Sequence, residues 1–192
     1  MHAHVSVVDA EGRNIFDDGG DAPSQTLKQA IAGTLDTMDD LQAVFAPHMN
    51  SYRRFQPNSF APHAPDWGLD NRAAGVRVPE VSGPGARLEH RISGADTNPY
   101  LVLTAILSGI LHGLDHPALP LPLPLDDEEG NHADPLTADW ATAVDAFETS
   151  DIAAQTFCEG YRDIYAAVRR DEIAQLTSAI SQIEYRTYLG RL

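Results

Sequence analysis

The sequence predicts an α+β protein, with short strands in its first half and helices between and after them. Three observations predict it. Residues 2 to 9 (HAHVSVVD) alternate polar and apolar side chains, the two-residue period of a strand. Residues 48 to 96 hold ten glycines and prolines and no long helical period, so they read as short strands joined by loops. The last third repeats apolar residues at steps of three and four, the period of a helix.

In the first strand His2, His4 and Ser6 share one face, and Ala3, Val5 and Val7 take the other. A turn at Gly12 and a loop over 17 to 23 (DDGGDAP) follow. Ser24 is suited to cap a helix carrying Leu27, Ile31, Leu35, Met38, Leu41 and Val44, which ends near Pro47. The best strand candidates beyond it are 76 to 78 (VRV) and 88 to 92 (LEHRI). In the second, Glu89 and Arg91 share one face, while Leu88, His90 and Ile92 share the other.

Asn98 and Pro99 open a helix that runs to about His112, with Val102, Ile106 and Ile110 as its apolar stripe. Residues 117 to 135 (PALPLPLPLDDEEGNHADP) alternate leucine and proline, which neither a helix nor a central strand accepts, so they form a surface loop. The run Asp126, Asp127, Glu128 and Glu129 reads as a solvated charge cluster. Three helices close the chain, over 136 to 149, 151 to 169 and 171 to 188, with Asp134 and Ser150 as caps. Ile173, Leu176, Ile180 and Ile183 form a helical stripe that, with Trp140, Tyr161, Tyr165 and Tyr185, is expected to pack.

The chain has 192 residues, 43% of them hydrophobic and 21% charged, which suits one globular domain with a real core. Its formal net charge of -15 argues against general nucleic-acid binding and against an anionic membrane surface. No apolar run approaches the ~20 residues of a membrane span, and no signal-peptide pattern opens the chain. Cys158 is the single cysteine, so no internal disulfide forms, and a reducing, cytoplasmic setting is expected.

Charge is unevenly spread. Between Ser51 and Tyr100 the cations Arg53, Arg54, Arg72, Arg77, Arg87 and Arg91 face the acids Asp66, Asp70, Glu80, Glu89 and Asp96. All six cations are arginine, and the only lysine, Lys28, lies elsewhere. Arginine suits bidentate grips on phosphate and carboxylate, although surface ion pairs would use the same residues. His2 and His4 on one strand face make a plausible metal pair. Neither a phosphate-binding G-x-x-x-x-G-K-[ST] loop nor a zinc-protease HExxH helix is present. Cys158 has no base beside it in sequence and reads as structural.

Order adds to these signals. The chain reads MHAHVS, then NSYRR, then DNRAAGVRVP, then ARLEHRISGADTNPYL. This series resembles the C-terminal part of the catalytic domain of the glutamine synthetase family, over nearly the whole chain, with the motifs running from Met1 to about Tyr100. The resemblance implies a partial antiparallel sheet of the glutamine synthetase catalytic-domain type, curled around the substrates, with helices packed on one side. It implies an ATP-dependent ligase that phosphorylates the γ-carboxylate of glutamate and lets an amine or ammonia displace the phosphate. It also implies Mg²⁺ or Mn²⁺ as metal cofactor, homo-oligomeric rings of full-length subunits, and neither nucleic acid nor membrane as partner.

Residue by residue, His2 matches a metal-binding histidine and Glu89 the carboxylate on the same ion. His4, Ser6 and Arg87 match positions that contact ATP. Arg72 and Arg77 match the pair that serves the transferring phosphate. Arg54 and Arg91 match residues that hold glutamate. Where an ammonia-using family member carries a flap glutamate, this chain has Phe60, which cannot take a proton and could line a pocket for a carbon-bearing amine. That points to the branch resembling γ-glutamylpolyamine and γ-glutamylamide synthetases. The first half of the catalytic domain and the N-terminal β-grasp domain would precede His2. Residues 1 to 192 are therefore expected to be the C-terminal portion of a catalytic domain, inactive by itself and prone to associate through bared strand edges. The alternatives are a fragment of an ammonia-using enzyme, and a non-catalytic remnant that binds a nucleotide or a full-length ligase.

Overall fold

A computed structural model describes every residue of the chain except 57, 58, 60, 126–132 and 192. The first strand is β1 (Ala3–Val5), shorter than the alternating stretch that contains it, because Val8 turns to form an isolated bridge with Asn14. Helix α1 (Gln25–Asp36) starts where expected: the Ser24 hydroxyl accepts from the Leu27 amide at 3.1 Å.

The single helix expected up to Pro47 is interrupted. A turn over 37 to 41 separates α1 from α2 (Gln42–Phe45). The Thr37 hydroxyl donates back to the Gly33 carbonyl at 2.9 Å, and Asp40 turns away to accept from the Ser150 hydroxyl at 2.7 Å. Such side-chain bonds compete with helix continuation. The apolar run survives the turn, since Leu27, Ile31, Leu35, Met38, Leu41 and Val44 are all buried.

Three more strands follow: β2 (Trp67–Leu69), β3 (Val76–Glu80) and β4 (Arg87–His90). Among the described residues these form one four-stranded sheet in the order β1-β4-β3-β2. The β1–β4 and β4–β3 pairs are antiparallel, as expected. The β2–β3 pair is parallel, and β2 itself has no counterpart in the strands read from the sequence. Pro79 sits where the β3–β4 register slips, so two residues of β3 (78 and 79) oppose one of β4 (88) between the Arg77–Glu89 and Glu80–Arg87 pairs. Proline has no N–H for the ladder and is tolerated at such bulges.

Helix α3 (Pro99–Asp115) is capped by Asn98, whose side chain accepts from Tyr100 N at 3.0 Å. It lies directly on α1. A Cβ on Gly33 would clash with the backbone at Gly109 and Gly113, and one on Gly113 would clash with the Gln29 carbonyl. These glycines let the two backbones touch. Helix α4 (Trp140–Thr149) is capped by Asp139 and not by Asp134, and Ser150 caps α5 (Asp151–Phe157).

The boundary expected at residue 170 is absent. The chain breaks instead at Cys158, which has φ 60°, and then runs unbroken through α6 (Glu159–Ser178) before α7 (Gln182–Tyr188). The turn brings Phe157 and Tyr165 onto Phe147, with ring centroids 6.0 and 5.1 Å apart. Packing of those rings overrides the local helical pattern. The stripe expected to pack does so only at its start. Trp140 is buried and Ile173 and Tyr165 are partly covered, but Leu176, Tyr185, Ile180 (81% exposed) and Ile183 (77% exposed) face outward. Periodicity placed these residues on one face, but no described element lies opposite the end of α6.

The helices cover one side of the sheet. Val5, Val76, Val78, Leu88 and Ile92 form its dry face against the core that includes α1 and α2. The other face is polar and carries the site.

Candidate functional site

Strand register builds the site. His4 of β1 lies opposite Glu89 of β4, which lies opposite Arg77 of β3. Residues directly opposite in an antiparallel pair share a face, so an imidazole, a carboxylate and a guanidinium form one row across three strands. His2 and Arg91 flank that row two residues away along their chains.

Glu89 is the hub. Its side chain is 2% exposed, and both oxygens are engaged. Arg77 donates to Oε2 at 2.7 Å and Arg91 donates to Oε1 at 2.8 Å. His2 Nδ1 lies 3.1 Å and His4 Nε2 3.7 Å from Oε1. Burial by itself would raise the Glu89 carboxyl, but the bonds from Arg77 and Arg91 outweigh it and hold the group below the usual carboxylate range. Burial, followed by the nearby Arg91 charge, pushes His2 below the ordinary imidazole value, so His2 is neutral at pH 7.

The arginines are held from behind as well. Arg91 also donates to the Arg72 carbonyl at 2.9 Å. Asp70 accepts from Arg77 Nε at 3.0 Å and from Arg77 NH2. Asp70 has φ 47°, a left-handed conformation uncommon outside glycine, asparagine and aspartate. At the other end of the row, Arg87 donates to His4 Nδ1 at 3.3 Å and to the Gly85 carbonyl at 2.7 Å. The Ser6 hydroxyl donates to the Ala86 carbonyl at 2.9 Å.

The residues expected from the sequence therefore divide. His2, His4, Arg77, Arg87, Glu89 and Arg91 are joined in one network of polar contacts. Arg72 joins through its carbonyl, and its side chain lines a cavity with Arg91. Ser6 adjoins Arg87 through the edge of β4. Arg54 stands apart: it donates to the Ile92 carbonyl at 3.1 Å and lies beside the Met1 ammonium, which also feels Arg91. Phe60 lies outside the described residues. Periodicity gave no sign of Asp70 as the partner of Arg77; its place two residues before Arg72 in LDNR is the only hint in the sequence.

A divalent cation on His2 and Glu89 can be tested against this geometry. Their donor atoms are close enough to share an ion, but Arg91 NH1 lies 3.3 Å from His2 Nδ1 and 2.8 Å from Glu89 Oε1, in the place the ion would take. Among the described residues no group of three or more His, Cys, Asp or Glu side chains is placed to hold a metal ion. Two donors already serving a guanidinium do not fit a tightly bound divalent cation. The arrangement instead presents arginine N–H groups, fixed by a buried carboxylate, on an open sheet face, which suits the binding of phosphate or carboxylate anions.

Comparison with known proteins bears on these observations. The family model described as "Glutamine synthetase, catalytic domain" matches residues 1–188. The chain is 38% identical to the "Gamma-glutamylputrescine synthetase PuuA" of Escherichia coli (strain K12), over 96% of this chain and 39% of that protein. It is 36% identical to the "Gamma-glutamylethanolamide synthetase GlnA4" of Streptomyces coelicolor, over 100% of this chain and 41% of that protein. The chain thus spans about two fifths of the length of these relatives. Among solved structures, the "GmaS/ADP complex" superposes with a TM-score of 0.86 at 28% identity, covering 98% of this chain and 45% of that one. Among the described residues, no helix is long and apolar enough to cross a membrane.

Proposed function

The chain belongs to the glutamine synthetase family, and from that premise we propose that it supplies the arginine-lined, anion-handling part of a site that joins an amine to the γ-carboxylate of glutamate, driven by ATP. The reaction passes through a γ-glutamyl phosphate, so the site must hold two anionic groups, the phosphoryl group and the substrate carboxylate. Arg72 and Arg77 stabilise the phosphoryl group in flight. Arg91 and Arg54 hold the glutamate carboxylates. His4, Ser6 and Arg87 contact ATP at the β1–β4 end. Glu89 holds Arg77 and Arg91 in place before any substrate arrives, which lowers the cost of organising them during reaction. His2 completes that hub.

The observation that carries this reading is the His4–Glu89–Arg77 row across three strands, with Arg91 bonded to the same carboxylate. Likeness to synthetases of γ-glutamylputrescine and γ-glutamylethanolamide favours a carbon-bearing amine over ammonia as acceptor, and Phe60 in the flap agrees with that choice. Calorimetric titration of ATP with magnesium into the chain tests the nucleotide part. Saturable heat is expected, weakened about tenfold in Arg87→Ala if one charge-assisted bond is lost. No heat with the wild-type chain would overturn the assignment of His4, Ser6 and Arg87.

A further inference from the structure

We propose that His63 takes the proton from the incoming amine. The inference rests on the glutamate–amine ligase reading above and adds a residue to it. A cavity of about 500 Å³ opens beside the Glu89 network, and its walls include Ser59, His63, Arg72 and Arg91. Arg91 belongs to both, so the cavity is continuous with the anion-handling face. The loop that carries His63 is pinned where it passes the cavity: the His63 carbonyl accepts from Leu136 N at 2.8 Å.

The chemistry requires a proton acceptor here. An alkylamine in neutral water is an alkylammonium, because such groups have pKa values near ~10, and it has no lone pair to attack with. The guanidinium groups of Arg72 and Arg91 accept no proton. The Ser59 hydroxyl is a weak base and already donates to the Arg54 carbonyl at 2.7 Å. Phe60 carries no ionisable group. Imidazole is the side chain that exchanges protons near neutral pH, and His63 is the one among the described lining residues.

The charges around His63 are mixed. Arg72 and Arg91 share the cavity with His63, and Asp66 stands beside it in electrostatic contact. Asp66 is buried and its carboxylate accepts from Gly75 N at 2.6 Å, so it is fixed in place. Arg72 and Arg91 hold the acyl phosphate on their side. The alkylammonium gives one proton to the His63 imidazole, and its freed lone pair forms the C–N bond to the acyl carbon of the γ-glutamyl phosphate. The bond from that carbon to the phosphoryl oxygen breaks and leaves its electrons on phosphate. The second nitrogen proton passes to the departing phosphate, and imidazolium returns its proton to solvent.

The test uses nuclear magnetic resonance of the 192-residue chain with labelled imidazole and guanidinium nitrogens. Glutamate with inorganic phosphate is added first, then 1,4-diaminobutane. The arginine signals of Arg72 and Arg91 should move with the anions. The His63 signals should then move with the diamine. His63→Leu should keep the arginine response to the anions and weaken diamine binding severalfold. If the arginines respond while His63 does not, His63 has no such role and the ligase reading stands. If the arginines are silent to glutamate and phosphate, the ligase reading fails and this inference falls with it.

Discussion

Glu89 and His90 are neighbours on β4, both almost wholly buried, and the two sides of the sheet treat their charges in opposite ways. On the polar side Glu89 keeps its charge because two guanidinium groups bond to it. On the helix side His90 loses its charge. Its ring lies tilted against Phe45 with centroids 4.3 Å apart, its Nδ1 lies 3.4 Å from the Ser93 hydroxyl, and its Nε2 has no hydrogen-bond partner among the described residues. Burial pushes its pKa down to about 3. Both positions are hidden from water, so exposure does not separate them. What separates them is whether the register brings counter-charges to the same face. Ionic chemistry is retained where it does, and packing takes over where it does not.

Breaking the polar side should have the largest effect. Glu89→Gln keeps the shape of the hub and removes its charge, leaving Arg91 without a neutralising partner and Arg77 with Asp70 alone. A buried ion pair broken from one side costs ~3–5 kcal/mol, which urea denaturation would measure. A loss below about 1 kcal/mol would mean that water or Asp70 replaces the carboxylate.

Acid should break the dry side next. The folded pKa of His90 lies below that of the unfolded chain, so the unfolded state takes up the proton first. Stability should therefore fall as pH drops from about 6.5 towards 3, by up to ~1.4 kcal/mol per pH unit. His2, also shifted down, acts in the same direction. Glu89, held below its usual range, adds its own loss only at lower pH, as its folded pKa is approached. His90→Leu should flatten the dependence between pH 6.5 and 4.5 in thermal melts, and an unchanged slope would assign it to another group.

The helix layer that keeps His90 dry can be pried apart at its seam. Gly33→Ala presses a methyl group onto the backbone of α3 at Gly109 and Gly113 and should cost ~1–3 kcal/mol, read as a lowered melting temperature. Far from both faces, Leu176→Ser and Ile183→Ser should change stability by less than ~0.5 kcal/mol, because both side chains are already exposed. A larger loss would show that α6 and α7 are covered in solution, and a sedimentation experiment would then detect self-association.

Much of the site was legible because strand alternation is a short-range rule. The facing of Glu89 and Arg91 against Leu88, His90 and Ile92 followed from the period alone, and so did the shared face of His2 and His4. The caps Ser24, Asn98 and Ser150 also followed from local chemistry. Features fixed by distant partners were not legible. The three residues of β2 contain glycine and show no alternation; they become a strand by pairing with β3, and Trp67 is anchored by its Nε1 donating to the Pro122 carbonyl at 2.8 Å. The break at Cys158 answers to rings on α4 and α6. The outward face of Leu176, Ile180 and Ile183 shows the same limit, since a period tells which residues travel together and not what waits opposite them.

The slip at Pro79 acts as a change of phase. In an unbroken strand Val76, Val78 and Glu80 would point the same way, and an acid would enter the oil between sheet and helices. The extra residue resets the count, so Glu80 emerges opposite Arg87, on the side where Arg87 and Glu89 stand. Deleting Pro79 alone would seat Glu80 at the next step of an unshifted ladder, where Pro79 would otherwise fall, and would pull the following segment one place forward. Val81 and the turn that leads back to Arg87 would then arrive out of step, although Glu80 would still face Arg87. A single insertion thus lets a five-residue ribbon serve both a greasy lining and a charged rim.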